Sequence, residues 1–409
     1  MVEVGGSRVR RIGLVTCARS ELGFYLPLMH ALAANPGFKL EIVATGMHLS
    51  PEFGFTVRHI EDAGFTVHSH VESLLSSDTP EGIGKSIGLG TMGFAQLFAN
   101  WHPDILVVHG DRFDALPPVL AALPYRIPVA HISGGDVTEG AMDDSIRHAM
   151  TKLSHLHFVE TESSRNRVLQ MGEEAWRVTC CGSLALDTIR QTELMDVGEL
   201  NETFGIGAPA PFLLVTFHPV TMATDQTAYD ITEVLAAIDK IELPAVFTYP
   251  NADTSSRVII DAINAFCATK ADRKVVVNAG QRGYLSLMAH ASAMIGNSSS
   301  GIVEAASFKL PVVNVGDRQC GRASGLNVID CSVGREKLCE AITQALSDNF
   351  RATLGELDNV YGDGYAADHL VRELSTVEIS DRLLRKRFSK FGHNHTVCDL
   401  DGDPKRVAS

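Results

Sequence analysis

Acidic side chains follow two apolar segments in the first half of the chain. Asp111 comes directly after the apolar segment 105–108, and Asp136 follows the segment 128–132. Asp143 opens a helix-like stretch a few residues later. Carboxylates that lie close together move one another's pKa values apart, and a site of this kind supplies both an acid and a base. The same positions also suit helix N-caps, so a purely structural role for Asp111 and Asp143 stays open.

The turn after segment 105–108 carries two further candidates for ligand contacts. Gly110 permits a tight turn, and Arg112 is predicted to point from the strand end towards a ligand. As a surface partner of a helix cap, Arg112 would instead have no role in binding.

The second half of the chain offers residues that suit an anion. Ser298 and Ser299 open a helix-like segment after the apolar run 293–297, and hydroxyls at such a start favour phosphate. Glu304 is placed to accept hydrogen bonds from ribose hydroxyls, and Arg318 offers a bidentate charge. His218 ends another apolar run, where a core histidine is the simpler interpretation. Arg19 follows the first apolar run and is predicted to face the same place.

Short apolar runs rich in Val and Ile alternate with amphipathic stretches, which favours parallel sheets covered by helices on both faces. We predict an α/β fold with two Rossmann-like, doubly wound domains at 1–187 and 188–375, followed by a polar, solvated tail at 376–409. Ligands of such sheets bind at the carboxyl ends of strands, so the cleft between the domains is the expected site. The predicted strands are 11–17, 39–46, 104–110, 128–134, 155–161, 177–182, 212–218, 245–250, 274–279, 293–297 and 311–316.

Composition excludes several classes of protein. The chain has 409 residues, 45% of them hydrophobic and 21% charged, which excludes global disorder. A net charge of −14 disfavours nucleic acid and membrane surfaces as partners. No apolar run has the roughly 18–20 residues of a membrane span, and the N-terminus lacks the pattern of a secretory signal. Eight cysteines without a CxxC motif predict reduced thiols in the cytoplasm. A metal site at His393 and His395 has little support, and no cofactor is predicted.

Several motifs, in this order, resemble the hydrolysing UDP-N-acetylglucosamine 2-epimerases, in the branch that makes precursors of sialic or legionaminic acids. Each motif alone is modest, but together they extend over most of the chain, up to residue 364. They are Thr16-Cys-Ala-Arg19, His109-Gly-Asp-Arg-Phe-Asp114, Asp143-Asp-Ser-Ile-Arg-His-Ala-Met-Thr-Lys152, His218-Pro-Val-Thr221, Tyr249-Pro-Asn-Ala-Asp253, Gly296-Asn-Ser-Ser-Ser-Gly301 and Tyr361-Gly-Asp-Gly364.

The resemblance implies two domains in the GT-B arrangement, with UDP held largely by the second. It implies catalytic roles for Asp111, Asp143 and His218, and a cleft motif that contains Asn251 and Asp253. The nucleotide-contact positions of the family fall on Arg19, Ser298, Ser299, Glu304 and Arg318. It also suggests a homodimer or homotetramer.

One position departs from the family pattern. Many members carry a catalytic glutamate where this chain has Ser133, in the loop that ends at Asp136. Either Asp136 or a neighbouring residue would then transfer the proton.

The implied reaction removes the C2 proton of a UDP-2-acetamido sugar while UDP leaves C1, and water then adds to the glycal. The products are UDP and a free manno-configured sugar, and no nicotinamide is needed. The substrate is UDP-N-acetylglucosamine or a UDP-2,4-diacetamido-trideoxyglucose. The alternatives are a GT-B glycosyltransferase, a UDP-sugar sensor without activity, and a non-hydrolysing epimerase.

Overall fold

The structure is a computed structural model that describes residues 3–4, 7–75, 77, 79–138, 142–206, 211–219, 226–250 and 256–389. Strands β1 (Glu3–Val4) and β2 (Ser7–Arg8) form a small antiparallel pair at the N-terminus. The remaining strands form two parallel sheets, and we refer to each sheet with its helices as the first and the second lobe.

The first lobe contains a seven-stranded parallel sheet in the order β5-β4-β3-β6-β7-β8-β9. The chain runs outwards from β3 to β5, returns to β6 beside β3, and then continues to the other edge. The point between β3 and β6 is therefore a topological switch, outside which ligands of such sheets bind. The strands are β3 (Arg10–Thr16), β4 (Phe38–Thr45), β5 (Val67–Val71), β6 (Ile105–His109), β7 (Val129–Ile132), β8 (Leu156–Val159) and β9 (Val178–Cys180).

The second lobe repeats this plan with a six-stranded parallel sheet in the order β12-β11-β10-β13-β14-β15. Its switch point lies between β10 and β13. The strands are β10 (Leu213–Thr216), β11 (Ala245–Thr248), β12 (Arg273–Val276), β13 (Ala293–Gly296), β14 (Val312–Val315) and β15 (Val328–Cys331). The predicted α/β class with two doubly wound sheets is thus confirmed.

The helices join and cover the strands. In the first lobe they are α1 (Arg19–Ala34), α2 (Arg58–Asp62), α3 (Pro80–Phe98), α4 (Leu116–Ala122), α5 (Met142–Leu153), α6 (Glu162–Gln170) and α7 (Leu184–Gln191). Between the lobes and in the second lobe follow α8 (Val197–Phe204), α9 (Thr227–Ile241), α10 (Ser256–Cys267), α11 (Gly280–His290), α12 (Ser299–Val303), α13 (Arg335–Leu346) and α14 (Asp348–Thr353). The last two are α15 (Ala366–Thr376) and α16 (Asp381–Leu384).

Each sheet has a core on both faces because successive strand side chains point in opposite directions. Leu14 and Val107 pack on one face of the first sheet with Leu28 of α1. Val15 and Val108, one residue further on, pack on the other face with aromatic residues of α3. This two-sided burial explains why these strands are continuous apolar runs rather than alternating ones.

The C-terminal part of the chain returns to the first lobe. The amides of Ala366 and Ala367, at the start of α15, donate to the carboxylate of Asp187 at 2.9 and 3.0 Å. Leu370 and Leu374 of α15 are fully buried in the same cluster as α1. Residues after 365 therefore stabilise the lobe in which the chain begins. The predicted domain boundaries at 187 and 375 stay predictions.

Candidate functional site

A cavity of about 230 Å³ lies between the lobes, at the carboxyl ends of both sheets. Acidic side chains from the first lobe meet a hydroxyl, an acid and a cation from the second. The polar residues of most interest in its lining are Asp111, Asp136 and Glu160 from the first lobe, and Ser299, Glu304 and Arg322 from the second. The cavity thus joins groups that sequence analysis places in the cleft with two that it does not name.

Asp111 reaches the cavity through the turn that ends β6. Gly110 has a φ of +73°, which favours glycine, and its amide donates to Ile132 O on β7 at 3.0 Å. The side chain of Asp111 is 25% exposed and forms an ion pair with Arg147 of α5, whose side chain is only 3% exposed. The partner of Asp111 is therefore a buried cation from within its own lobe.

Arg147 also holds the loop between β7 and α5. Its guanidinium donates to Asp144 Oδ1 at 3.1 Å, to Asp136 O at 2.9 Å and to Thr138 Oγ1 at 2.8 Å. The Thr138 amide donates in turn to Asp144 Oδ1 at 2.7 Å. The i,i+3 spacing of Asp144 and Arg147 indicates a pair on one helix face, but Arg147 was not a predicted site residue.

Asp143 lies in the first turn of α5 and is half-buried. Burial raises its pKa, and the negative charge of Asp111 raises it further. The two candidate acids are therefore close enough to interact electrostatically. Asp143 is not among the described residues that line the cavity.

Asp136 forms an ion pair between the lobes. Its Oδ2 lies 3.4 Å from Nε of Arg322, which belongs to the loop between β14 and β15, and each side chain is 22% exposed. Arg322 was not a predicted site residue. Its partner lies in the other lobe, so no local pattern in the sequence indicates it.

Glu160 follows β8 and lines the same cavity. Its Oε1 accepts hydrogen bonds from Ser133 Oγ at 2.7 Å and from Ser183 Oγ at 3.2 Å. Burial raises the pKa of Glu160. Glu160 was not a predicted site residue, although it follows an apolar strand, as Asp111 and Asp136 do. Ser133, the position that departs from the family pattern, therefore contacts a glutamate on the next strand.

In the second lobe, the ends of β10 and β13 are tied together. The amide of His218 donates to Asn297 Oδ1 at 2.7 Å, and Asn297 Nδ2 donates to His218 O at 2.8 Å. Arg318 Nη1 and Gln319 Nε2 both donate to Asn297 O, at 3.0 and 2.9 Å. Burial, together with the charge of Arg318, lowers the pKa of His218 to about 4. The imidazole is therefore neutral at pH 7 and lies near a cation.

The serine-rich segment forms α12, a helix of only five residues, so its dipole is small. Ser298 caps the helix by accepting from the Ser300 amide, and Ser299 lines the cavity. Tyr284 OH and Ser300 Oγ lie 2.7 Å apart, which extends a row of hydroxyl groups. Burial raises the pKa of Glu304 to about 7. The second wall of the cavity therefore carries the hydroxyl group of Ser299, with further hydroxyl groups on neighbouring residues, and an acid that titrates near neutrality.

The remaining predicted residues do not line the cavity or lie outside the described residues. Arg19 begins α1 at the end of β3 and is exposed. Arg112 donates through Nε and Nη2 to the two carboxylate oxygens of Asp114 inside the first lobe, at 3.0 and 3.2 Å. Its Nε also lies 3.9 Å from Glu21 Oε1. It is not among the described residues of the cavity lining. Four candidates lie outside the described residues, namely Asn251, Asp253, His393 and His395.

Within the residue ranges that the structure describes, no group of three or more His, Cys, Asp or Glu side chains is arranged to hold a metal ion. No described helix is long and apolar enough to cross a membrane. The seven described cysteines are unpaired thiols.

Two doubly wound lobes with a polar cavity between their switch points define the class of two-lobed α/β proteins that bind a ligand between the lobes. The comparisons with known proteins narrow this class. The family model of UDP-N-acetylglucosamine 2-epimerase matches residues 30–375. The chain belongs to this family and is an enzyme of that type, as its sequence predicts.

Two relatives in sequence carry more specific names. The GDP/UDP-N,N'-diacetylbacillosamine 2-epimerase (hydrolyzing) of Campylobacter jejuni is 38% identical over 79% of this chain and 85% of the relative. The UDP-N,N'-diacetylbacillosamine 2-epimerase (hydrolyzing) of Legionella pneumophila is 32% identical over 92% of this chain and 99% of the relative.

Solved structures share the fold. The UDP-GlcNAc 2-epimerase of Neisseria meningitidis, bound to UDP-GlcNAc, has a TM-score of 0.75 at 17% identity and covers 89% of this chain and 99% of its own. The enzyme of Methanocaldococcus jannaschii, in complex with UDP-GlcNAc and UDP, has a TM-score of 0.71 at 18% identity, with the same coverage. The predicted GT-B arrangement is thereby confirmed.

Proposed function

We propose that the chain is a hydrolysing 2-epimerase that converts a UDP-2-acetamido sugar to UDP and the free manno-configured sugar. The observation that carries this proposal is the cavity in which Asp111 and Asp136 of the first lobe face Ser299 and Glu304 of the second. Acids on the first wall suit proton transfer at a carbon, and the hydroxyl group of Ser299 with the carboxyl group of Glu304 on the second wall suits a nucleotide.

The reaction has two steps. In the first, a carboxylate takes the C2 proton, the C–H electron pair forms the C1=C2 double bond, and UDP leaves with the electron pair of the C1–O bond. In the second, a carboxylic acid returns a proton to the opposite face of C2, and water adds to C1 and loses a proton. Two carboxyl groups are therefore needed, and Asp111, Asp143 and Asp136 are the predicted candidates for these proton transfers.

The nucleotide would be held by the second lobe. Arg318 lies beside Asn297, one residue before the serines of α12, and would bind the diphosphate, with Arg19 approaching from the first lobe. His218 is neutral and close to Arg318, so it would donate a hydrogen bond to the leaving diphosphate rather than carry a charge. Glu304 would accept from the ribose hydroxyls, as acids in nucleotide-binding sheets do.

The substrate that we favour is UDP-N,N'-diacetylbacillosamine, a UDP-2,4-diacetamido-trideoxyglucose. Two relatives at 38% and 32% identity are named for this sugar. UDP-N-acetylglucosamine is the second candidate, because a relative from Neisseria meningitidis at 31% identity is named for it. A relative at 32% identity is called polysialic acid biosynthesis protein P7, which supports a place in the synthesis of a sialic-type or legionaminic acid.

We further infer a cytoplasmic homo-oligomer. The unpaired thiols of the described cysteines suit a reducing compartment, where nucleotide sugars are made. The dimer or tetramer rests on the family alone, and light scattering of the purified chain would test it.

The function is tested with the wild-type enzyme in heavy water. Each of the two UDP-sugars is incubated without an acceptor, and the products are analysed by mass spectrometry and NMR. We expect release of UDP and a free manno-configured sugar that carries deuterium at C2. A mixture of two UDP-sugars without net release of UDP would indicate a non-hydrolysing epimerase, and binding without turnover would indicate a sensor.

A further inference from the structure

Glu160 lies where two neighbouring strands of the first sheet end together. Its strand, β8, pairs with β7 in parallel register, and the Ser133 amide after β7 donates to Phe158 O at 2.9 Å. The carboxyl ends of parallel strands meet at one edge of a sheet, so Glu160 and Ser133 are brought side by side. Glu160 therefore enters the cavity from the sheet itself, which is a rigid support for a reacting group.

The carboxyl group of Glu160 is held by neutral donors. Both the Ser133 and the Ser183 hydroxyls donate to Oε1. Among the described residues, Glu160 forms no ion pair within 4.0 Å, whereas Asp111 pairs with Arg147 and Asp136 with Arg322. A cation beside a carboxylate stabilises its charged form, and Glu160 has no such partner at ion-pair distance, so no ion pair weakens it as a base.

Burial and a neighbouring acid both raise the pKa of Glu160. Burial is the largest influence on its pKa and raises it, and the negative charge of Asp136 adds to the rise. The hydroxyl bonds and the more distant charge of Arg322 lower the pKa in part. A carboxyl group in this environment has a pKa nearer to neutrality, which suits it to exchange protons.

A histidine extends the network behind Glu160. Ser133 Oγ lies 3.1 Å from His109 Nε2, and its single proton is donated to Glu160, so the N–H of this pair belongs to His109. The imidazole packs against the rings of Phe24 and Tyr25 with centroid distances of 6.1 and 5.5 Å. Burial lowers the pKa of His109 to about 4, so the ring is neutral and orients Ser133 without adding charge.

We propose that Glu160 is the catalytic base that takes the C2 proton of the sugar, with Ser133 and His109 as its positioning residues. The inference rests on the proposed function. In this step the proton moves to a carboxylate oxygen of Glu160, the C–H pair becomes the C1=C2 bond, and the C1–O pair leaves with UDP. Asp111 and Asp143 remain for the return of a proton to the other face of C2.

The test compares Glu160→Gln with the wild type on the UDP-sugar that the wild type consumes. Glutamine keeps both hydroxyl bonds but cannot take a proton, so kcat should fall by about 10²–10⁴-fold. The affinity for UDP, measured by calorimetry, should stay within about threefold, because Glu160 is not among the proposed nucleotide contacts, most of which lie in the other lobe. With C2-deuterated substrate, the isotope effect on kcat should rise, because proton removal becomes slower than every other step. Glu162→Gln is the matched control, since Glu162 is an exposed carboxylate two residues further on.

The outcomes separate this inference from the proposed function. A wild type that releases no free sugar defeats the proposed function, and with it the inference. An active wild type with a Glu160→Gln variant of nearly equal kcat overturns the inference alone. A variant that loses UDP affinity and thermal stability together with kcat, at an unchanged isotope effect, also overturns it. If Glu160→Gln does not fold, Glu160→Asp decides: a lower kcat at unchanged UDP affinity supports the inference, and wild-type kcat contradicts it.

Discussion

Replacing Asp111 by Asn removes the charge that faces both the cavity and the buried Arg147. Loss of one partner of a buried ion pair typically costs about 3–5 kcal/mol of unfolding free energy. Arg147 keeps the Asp144 carboxylate at 3.1 Å and two neutral acceptors, and Asp111 is itself 25% exposed. We therefore expect a smaller loss, of about 1–2 kcal/mol, which lowers the midpoint of thermal unfolding by about 2–8 °C.

The expected effect on turnover is larger than the effect on stability. A proton-transfer group is worth about 10²–10⁴-fold in rate, or about 3–5 kcal/mol of activation free energy. A domain with an unfolding free energy of about 5–15 kcal/mol tolerates a loss of about 1–2 kcal/mol, so Asp111→Asn should be folded at 25 °C. The folded variant should be nearly inactive because it lacks the proton-transfer group. The assay is UDP release at saturating substrate, together with thermal unfolding and calorimetric UDP affinity of the same preparation.

Asp144→Asn is the control that separates charge loss at Arg147 from chemistry. Asp144 pairs with the same guanidinium and accepts from the Thr138 amide, but it is not among the described residues of the cavity lining. It should lose a similar amount of stability and less than about tenfold in turnover. A folded Asp111→Asn enzyme with wild-type turnover would refute the reasoning. So would an Asp144→Asn enzyme as inactive as Asp111→Asn, because the damage would then come from the loop.

Three other predictions concern binding, packing and pH. Arg318→Ala should weaken UDP binding by about 10–100-fold, since it removes a charged hydrogen-bond donor, and calorimetry with unchanged affinity would contradict the nucleotide site. Gly296→Ala should lower the free energy of unfolding by more than about 2 kcal/mol, because a Cβ would lie 1.9 Å from Thr216 O. Gly84→Ala, at a helix position with open space around it, should raise the free energy of unfolding by about 0.5–1 kcal/mol. Equal shifts of the two variants in thermal unfolding would contradict this contrast. Burial favours a raised pKa at Glu173, but hydrogen bonds from a histidine and two lysines outweigh it and lower the pKa to about 2. The contribution of Glu173 to the free energy of unfolding is thus complete above about pH 4.5, the ordinary pKa of a glutamate, and is lost as the pH falls towards 2. The stability of Glu173→Gln should therefore depend less on pH in this range. Parallel plots of unfolding free energy against pH for the two proteins would contradict this prediction.

In the two parallel sheets, the sequence predicts every central strand and two of the four edge strands, β9 and β12. Each of the eleven predicted strands overlaps a strand of the structure, because most strands of parallel sheets are continuous apolar runs. β5 and β15 were missed. β5 reads Val-His-Ser-His-Val with alternating exposure, and β15 is only partly buried. Edge strands have one unpaired side and carry polar residues, so their apolar signal is weak.

The candidate site divides in the same way. Asp111, Asp136, Ser299 and Glu304 were found because they follow apolar strands or open a helix, and the structure places all four in one cavity. Glu160 follows a strand too, but the segment after it reads as the start of α6, where an acid is an ordinary dipole partner. Only the hydrogen bond from Ser133, on a neighbouring strand, distinguishes it.

Part of the predicted solvated tail is packed against the first lobe. The guanidinium of Arg177 is fully buried and donates to the carbonyl oxygens of Leu383, Arg382 and Arg385 at 2.8, 2.8 and 3.3 Å. Lys386 pairs with the buried Glu173 at 2.8 Å. A basic, polar segment normally indicates solvent, but here backbone carbonyls satisfy a buried cation more than 200 residues away. No local pattern encodes such a contact.

The loop between β14 and β15 links the two halves of the proposed mechanism. Arg318 donates to Asn297 O beside His218, on the nucleotide side, and four residues later Arg322 pairs with Asp136 on the acid side. In a chain with a net charge of −14, these two cations supply the local positive charge that a diphosphate and a cluster of carboxylates both need. Since both arginines belong to one loop, we expect nucleotide binding at Arg318 to affect the placement of Asp136 through Arg322. The Asp136–Arg322 pair joins the two lobes, so it forms only where the lobes lie as close together as they do here.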